Sequence, residues 1–235
     1  MKLYILIEDS RSFYDILPHW LKILLPSYTY VKTVDDMTQN SYVLFSGHGY
    51  PGLIGTDPSK PEKNRLGDAI KTIVDKSLDM LILCLDADDV SVISRREQIR
   101  SKIESYPIKS GYKYEILVLN KCAETLLMGN LKAFPRVPSA KFLPYSEHYN
   151  VGTDDPEAMN KPDSFIKSSS VYHEKYLKAM LRESRITYTK SNPPNIIKKQ
   201  SYFNAIYKRA ETTGHLNSFK MFVEFFENLH TQYGN

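Results

Sequence analysis

The 235-residue chain has only two cysteines and no long apolar run, and both absences exclude classes of protein. Cys84 and Cys122 lie inside apolar segments, so neither a disulfide framework nor a zinc site built from several cysteines is expected. The opening run KLYILIE is too short for a signal peptide, and no later run approaches membrane-spanning length. We therefore expect a soluble, cytoplasmic protein with buried, reduced thiols and no membrane partner.

Familiar ligand-binding motifs are missing as well. The segment SGHGYPG, residues 46–52, is rich in glycine but matches neither the P-loop nor the dinucleotide-binding pattern. The net charge of +4 is too small to identify a partner. The positive charge is concentrated, however, because residues 166–200 contain eight Lys or Arg and only two Glu. Such a segment suits a polyanion, and a solvated helix face explains it equally well.

The sequence does contain a regular alternation of strand-like and helical segments. At 42% hydrophobic, 12% aromatic and 25% charged residues, the composition is that of a globular protein with a core. Strands are predicted at residues 3–7, 28–34, 42–45, 80–85 and 114–119, and helices from residue 12 to before Pro26, at 66–76 and at 90–105. This order predicts an α/β, Rossmann-like layer: a mostly parallel sheet flanked by helices.

After Gly129 the character of the sequence changes. Residues 1–130 are expected to form an α/β domain, residues 131–170 a proline-rich connector, and residues 171–235 a basic, helical C-terminal extension. Helices are predicted at 172–183, 201–212 and 218–229. Gly214 is expected to end the second of these, and Asn217 to cap the start of the third.

Acidic residues follow three of the predicted strands. Glu8 follows the first strand, Asp86 and Asp88 follow the fourth in the segment MLILCLDADDVS, and Glu124 comes just after the last. Because the carboxyl ends of parallel strands meet at one edge, we expect these acids to lie close together. Clustered carboxylates oppose one another's ionisation, and Mg²⁺ or Mn²⁺ is the usual compensating charge. For any single acid, helix capping is an equally good explanation, and Asp89 is predicted to cap the helix that starts at residue 90.

The pattern of an apolar N-terminal strand ending in Glu8 and a later apolar strand ending in Asp86-Ala87-Asp88 resembles the TOPRIM domain over residues 1–130. Within that group, the segment KCAETLL and the helical tail look most like small stand-alone TOPRIM nucleases paired with ABC-type ATPases in bacterial anti-phage defence. The resemblance implies Mg²⁺- or Mn²⁺-dependent cleavage of DNA or RNA, a tRNA included. It also implies that Glu8 acts as acid/base or metal ligand, that Asp86 and Asp88 bind metal and take part in catalysis, and that Glu124 is a possible further ligand.

Several other polar residues are candidates for contacts with phosphate. His48 could orient a phosphate from its glycine-rich loop, although a loop histidine without a catalytic role is the simpler explanation. Lys121 follows the last strand and could neutralise phosphate charge, or could be an ordinary surface lysine. Tyr188 and Lys190 combine base-stacking and phosphate-binding side chains. The complete set of predicted phosphate or nucleic-acid contacts is His48, Lys121, Lys190, Lys198 and Lys199.

Two other functions remain open from the sequence. The segment Asp86-Ala87-Asp88-Asp89-Val90 fits the D-x-D-x-[T/V] motif of haloacid-dehalogenase-type phosphatases, in which Asp86 would be the phosphorylated nucleophile and Asp88 the acid/base. That motif normally ends the first strand, whereas here a strand ending in Glu8 precedes it. The other alternative is a TOPRIM-like module that binds nucleic acid or an ATPase without cutting.

Overall fold

The computed structural model describes residues 1–56, 64–107 and 112–234. Its centre is a sheet of five strands, all paired in parallel, in the order β2-β3-β1-β4-β5. The predicted α/β class with a parallel sheet is therefore confirmed. The strands are β1 (Lys2–Ile7), β2 (Thr29–Tyr30), β3 (Ser41–Ser46), β4 (Met80–Asp86) and β5 (Lys113–Leu119).

Helices connect the strands and make up most of the chain after β5. They are α1 (Ser12–Leu24), α2 (Tyr50–Leu53), α3 (Arg65–Asp75), α4 (Val92–Glu104), α5 (Ala123–Leu127), α6 (Leu143–His148), α7 (Ser169–Glu183), α8 (Asn195–Lys198), α9 (Gln200–Thr213) and α10 (Asn217–Tyr233). Single 3₁₀ turns lie at Val34–Asp36, Leu131–Ala133 and Pro156–Ala158. Among the described helices, none has both the length and the apolar character needed to cross a membrane.

The continuous apolar runs form strands because both faces of the sheet are covered. In β1, Leu3 and Ile5 face one apolar core while Tyr4 and Leu6 face a second core on the opposite side. The second core is closed mainly by α3 and α4, through residues such as Ile70. Because successive side chains point into one or the other of two apolar layers, every position of such a run is apolar, as is typical of buried parallel sheets.

The C-terminal helices complete the first core. Trp20 of α1 is fully buried and packs edge-on against Phe203 of α9 and Phe219 of α10. Its indole N–H donates a hydrogen bond to the carbonyl oxygen of Ile197 at 3.2 Å. The sheet and the C-terminal helices therefore share one apolar layer, and losing a large aromatic side chain from such a layer typically costs about 3–5 kcal/mol.

The predicted strand at residues 28–34 is much shorter in the structure. β2 contains two residues, which pair with Ser41 and Tyr42 of β3. The chain then leaves the sheet and forms the 3₁₀ turn at Val34–Asp36, where Thr33 donates its hydroxyl to the Asp36 carboxylate. The prediction from the sequence therefore overestimated the length of this strand, because an edge position provides a partner on one side only.

The two predicted caps around α10 have different outcomes. Gly214 ends α9 in the left-handed conformation at φ 75°, as predicted. The prediction that Asn217 caps α10 is wrong, since Leu216 occupies the cap position and has no capping side chain. Instead the buried carboxylate of Glu157 accepts hydrogen bonds from the Ser218 backbone N–H and hydroxyl. A carboxylate from a distant loop thus replaces the local cap.

Candidate active site at the acidic sheet edge

Glu8 and Asp86 meet at the carboxyl edge of the two central strands. β1 and β4 are hydrogen-bonded neighbours, so the residues that follow them are placed side by side. Oε2 of Glu8 accepts a hydrogen bond from the backbone N–H of Asp86 at 3.1 Å, although the two residues are 78 positions apart. The backbone N–H of Glu8 in turn donates to the Cys84 carbonyl at 2.8 Å. The structure therefore brings together the first two residues of the predicted site.

Negative charge is poorly compensated at this edge. Burial, and to a lesser extent the Asp88 carboxylate, raise the pKa of Glu8 to about 7, against the opposing effects of the hydrogen bond from the Asp86 N–H and the charge of Arg95. Burial, then the carboxylates of Glu8 and Glu124, raise the pKa of Asp86 well above its ordinary range. Within the described residues, the Asp86 carboxylate has no hydrogen-bond or ion-pair partner. An unpaired carboxylate among other acids favours a bound proton or an added cation.

Asp88, in contrast, has partners on both carboxylate oxygens. Its backbone is left-handed, at φ 53°, and its N–H donates to the carbonyl of Lys121 at 2.8 Å. Oδ1 accepts a hydrogen bond of 2.5 Å from the Ser170 hydroxyl, and Oδ2 lies 3.8 Å from Nη2 of Arg95. The predicted role of Asp88 as a metal ligand would require it to share or exchange these partners.

Asp89 does not cap α4, which corrects the prediction from the sequence. Ser91 is the cap of that helix, and its Oγ accepts a hydrogen bond from the Ser94 N–H at 3.0 Å. Oδ1 of Asp89 instead accepts the backbone N–H of Ser169 at 3.0 Å, and hydrogen bonding from Ser169 lowers the pKa of Asp89. Asp88 and Asp89 thus both bind the N-terminus of α7, where negative charge is favourable.

Glu124 also lies at this edge but is neutralised within the protein. Its side chain is 1% exposed, and its Oε1 accepts hydrogen bonds from the Tyr188 hydroxyl at 2.7 Å and the Ser12 hydroxyl at 3.4 Å. The ammonium of Lys190 lies 3.4 Å from the same oxygen. Because buried charges are stable only when they are paired, these contacts account for Glu124 without a metal.

Lys190 and Tyr188 therefore have structural roles. Lys190 lies between Glu124 and Glu174, 3.4 Å and 3.9 Å from their carboxylate oxygens. Although burial opposes it, the charges of Glu124, Asp86 and Glu174 raise the pKa of Lys190. Tyr188 is 3% exposed, so its ring is unavailable for stacking on a base. The predicted phosphate contact at Lys190 would have to compete with both ion pairs.

The remaining predicted lysines are spread over separate surfaces. Nζ of Lys198 forms an ion pair of 2.6 Å with Asp15 of α1. Lys199 is exposed at the junction of α8 and α9. Lys121 is left-handed, at φ 65°, and its carbonyl anchors Asp88 at the acidic edge. Of these three lysines, Lys121 is therefore the one that the structure places in direct contact with the acidic edge.

His48 lies in a turn whose local packing and backbone conformation require the glycines on either side of it. A Cβ at Gly47 would approach the Leu53 side chain to 2.4 Å, and Gly49 has φ 93°. His48 itself is left-handed, at φ 59°, and its backbone N–H donates to the Ser46 hydroxyl at 3.2 Å. It lines a cleft of about 400 Å³ together with Arg65 and other residues of the β3 side. The loop therefore opens onto a cleft, while its glycines serve the turn and its packing.

Arg95 is a component of the site that the sequence reasoning missed. It is 5% exposed, and its guanidinium lies over the Tyr50 ring, 3.7 Å from the centroid. Nη2 is 3.4 Å from the Ala87 carbonyl and 3.8 Å from the Asp88 carboxylate. Its Nε has no hydrogen-bond partner among the residues described. The available signal was its position one turn after Ser91, on the helix that follows the acidic segment.

A metal cage is not preformed at this edge. In the described ranges 1–56, 64–107 and 112–234, no three His, Cys, Asp or Glu side chains form a group that could hold a metal ion. Comparison of the chain with protein-family models, with curated proteins and with solved structures gave no match. The resemblance to TOPRIM proteins therefore stays a prediction.

Proposed function

We propose that this protein is a divalent-metal-dependent nuclease that cleaves phosphodiester bonds in DNA or RNA, with Glu8 and Asp86 at its reaction centre. The observation that supports the proposal is the meeting of these two acids at the carboxyl edge of the central strands, with the Asp86 carboxylate unpaired in the described structure. Ligand sites of open parallel sheets form at that edge. The ABC-type ATPase partner and the role in anti-phage defence follow from the resemblance alone and belong to the same proposal.

The donor atoms fit Mg²⁺ or Mn²⁺ by type. Mg²⁺ is usually held by one or two carboxylates, several waters and the substrate phosphate, and does not need a cage made wholly of protein. Asp86, with Glu8 beside it, meets this requirement, whereas Asp88 and Glu124 already have protein partners. A cation bound there would stabilise the oxygen charges that develop during phosphodiester cleavage.

Glu8 and Arg95 would carry out the remaining tasks. Oε2 of Glu8 is held by the Asp86 backbone N–H, and in the absence of a bound cation burial raises the pKa of this carboxyl group to about 7, so that it can hold or release a proton near neutral pH. Such a group is suited to general acid–base chemistry. The guanidinium of Arg95, held rigidly over Tyr50, supplies fixed positive charge beside the acids. Fixed charge of this kind stabilises a phosphate in its transition state.

The test compares Asp86→Asn and Glu8→Gln with the exposed control Glu104→Gln, all purified identically. Supercoiled plasmid, single-stranded oligonucleotide and total tRNA are incubated with Mg²⁺, Mn²⁺ or EDTA. We expect metal-dependent cleavage by wild type and control, and a loss of about 100-fold or more in both site variants. Equal cleavage by wild type and both site variants would show that the assignment is wrong. Phosphomonoester hydrolysis with an aspartyl–beryllofluoride adduct at Asp86 would instead identify a phosphatase.

A second candidate function is a nucleic-acid-binding module of the same fold that does not cut. The observation in its favour is that Asp88 and Glu124 are both engaged with partners from the C-terminal region, namely Ser170 and Lys190. In this case Mn²⁺ would bind without any cleavage of plasmid, oligonucleotide or tRNA. Isothermal titration with Mn²⁺ beside the cleavage assay separates the two candidates.

A further inference from the structure

A basic cleft lies between α6 and α7, and its described lining includes none of the residues predicted to contact nucleic acid. Its volume is about 690 Å³, and its lining includes Lys141, Lys175, Lys178 and Arg182. The basic segment seen in the sequence thus has a defined concave surface. That surface uses Lys175, Lys178 and Arg182 of the segment, none of which was predicted as a contact.

The positive charge of this cleft is largely uncompensated. Lys141, Lys175 and Arg182 have no acidic partner within the ranges that the structure describes. Lys178 is paired with Glu174 one turn earlier. The carboxylate of Glu183, which also lines the cleft, accepts hydrogen bonds from the Ser139 N–H at 2.8 Å and the Ser139 hydroxyl at 2.7 Å. An anionic ligand would therefore find three basic groups without an ion-pair partner in the described structure, of which Lys175 also lies over the Phe165 ring, 5.0 Å from its centroid.

The spacing of the basic residues on α7 matches a linear ligand. Lys175, Lys178 and Arg182 are separated by three and four residues, so they lie in one row along a helix face. The row is about 10 Å long at a rise of about 1.5 Å per residue. A row of this length can contact more than one phosphate of a single strand.

An aromatic ring faces the same cleft. Tyr145 of α6 is partly exposed there and is held by ring contacts with Phe142, Tyr172 and Tyr176. A fixed, partly exposed ring beside a row of cations is the arrangement with which proteins bind single strands, whose bases are free to stack. An acidic peptide would use the cations but not the ring.

We propose that the cleft between α6 and α7 binds single-stranded nucleic acid, with Lys175 and Arg182 on the phosphates and Tyr145 stacked on a base. This binding site rests on the proposed function for its biological role, since it would hold the strand that the acidic edge cuts. α7 begins at that edge, where Ser170 contacts Asp88. The row starts about 8 Å farther along the helix axis, at Lys175.

The test measures binding without cleavage. Fluorescence anisotropy of labelled oligo-dT and oligo-U is recorded in EDTA over a range of salt concentrations. The variant is Lys175→Gln with Arg182→Gln, and the control removes equal charge elsewhere, by Lys71→Gln with Lys208→Gln. We expect the cleft variant to bind at least about tenfold more weakly and to flatten the salt slope by about 1.4, which is the value for two lost phosphate contacts on a single strand. Tyr145→Leu is expected to weaken binding with the salt slope unchanged.

Three results would overturn the inference: no binding by wild type, equal losses in the cleft and control variants, or equally effective competition by polyglutamate. Thermal unfolding of each variant shows whether it is folded. The proposed function can fail separately. Binding as expected without metal-dependent cleavage would leave the cleft assigned and the nuclease proposal refuted. Metal-dependent cleavage that the cleft substitutions leave unchanged would support the nuclease proposal and would refute the assignment of the cleft.

Discussion

His173 makes the stability of this protein sensitive to mild acid. Its ring is fully buried in α7, where Nδ1 lies 2.8 Å from the Thr125 hydroxyl and Nε2 lies 3.1 Å from the Met159 carbonyl. A carbonyl can only accept, so Nε2 carries the proton and Nδ1 accepts from Thr125. Burial lowers the pKa of His173 to about 4, because the charged ring would lose its hydration. We predict that substituting His173 removes a defined part of the acid sensitivity.

The direction and size of the pH effect on stability follow from the pKa of His173 in the unfolded chain and in the folded protein. The unfolded chain, with a pKa near 6.5, binds the proton more tightly than the folded protein, with a pKa of about 4. The stability due to neutral His173 is therefore complete above pH 6.5 and is lost as the pH falls towards 4. The difference between the two pKa values corresponds to about 3 kcal/mol of unfolding free energy, of which about 2 kcal/mol is lost between pH 7 and pH 5.

The assay is urea unfolding of wild type, His173→Gln and the control Leu177→Ala at both pH values. His173→Gln lowers stability at pH 7, but its deficit relative to wild type should shrink by about 2 kcal/mol at pH 5. Leu177→Ala creates a cavity in the same helix without removing a titrating group, so its deficit should be equal at both values. An unchanged deficit for His173→Gln would refute the reasoning.

Two further predictions concern contacts that the C-terminal region makes with the acidic edge. Asp89→Ala should increase amide exchange at Ser169 and cost about 1 kcal/mol while leaving the start of α4 protected, whereas Ser91→Ala should expose α4 instead; the reverse pattern would show that Asp89 caps α4. Tyr188→Phe should cost about 1–3 kcal/mol in chemical denaturation, because it removes a hydrogen bond from the buried carboxylate of Glu124. A loss below about 0.5 kcal/mol would mean that Ser12 and Lys190 suffice for Glu124.

Much of the sheet could be predicted from sequence because burial on two faces leaves a direct trace. The runs at β1 and β4 are continuously apolar, as strands buried on both faces are, whereas the order of the strands in the sheet is not recorded by any local pattern. β2 was overestimated because its length depends on a single partner strand, which no local pattern records. The meeting of Glu8 and Asp86 was predictable because both residues follow parallel strands, whose carboxyl ends share one edge of the sheet; the structure adds that the two strands are neighbours.

The rest of the site depends on residues far along the chain. Asp88, Asp89 and Glu124 each have a partner from α7 or from the segment before α8, between 64 and 82 positions away. Capping rules assigned Asp89 to the nearest helix, because sequence distance was the available guide. In the folded protein the N-terminus of α7 lies beside Asp89, and Ser91 caps α4.

The hydrogen bond between Ser170 and Asp88 links events at α7 to the acidic edge. A ligand that draws α7 away from the sheet would separate this pair and the neighbouring one between Ser169 and Asp89. The Asp88 carboxylate would then keep Arg95 as its partner but lose the hydrogen bond from Ser170, and the charge at the edge would be less well compensated than before. By reciprocity, a cation that draws Asp88 towards Asp86 would loosen the start of α7 and change the affinity of whatever α7 binds. Ligand binding along α7 and cation binding at the acidic edge would in this way change each other's affinity.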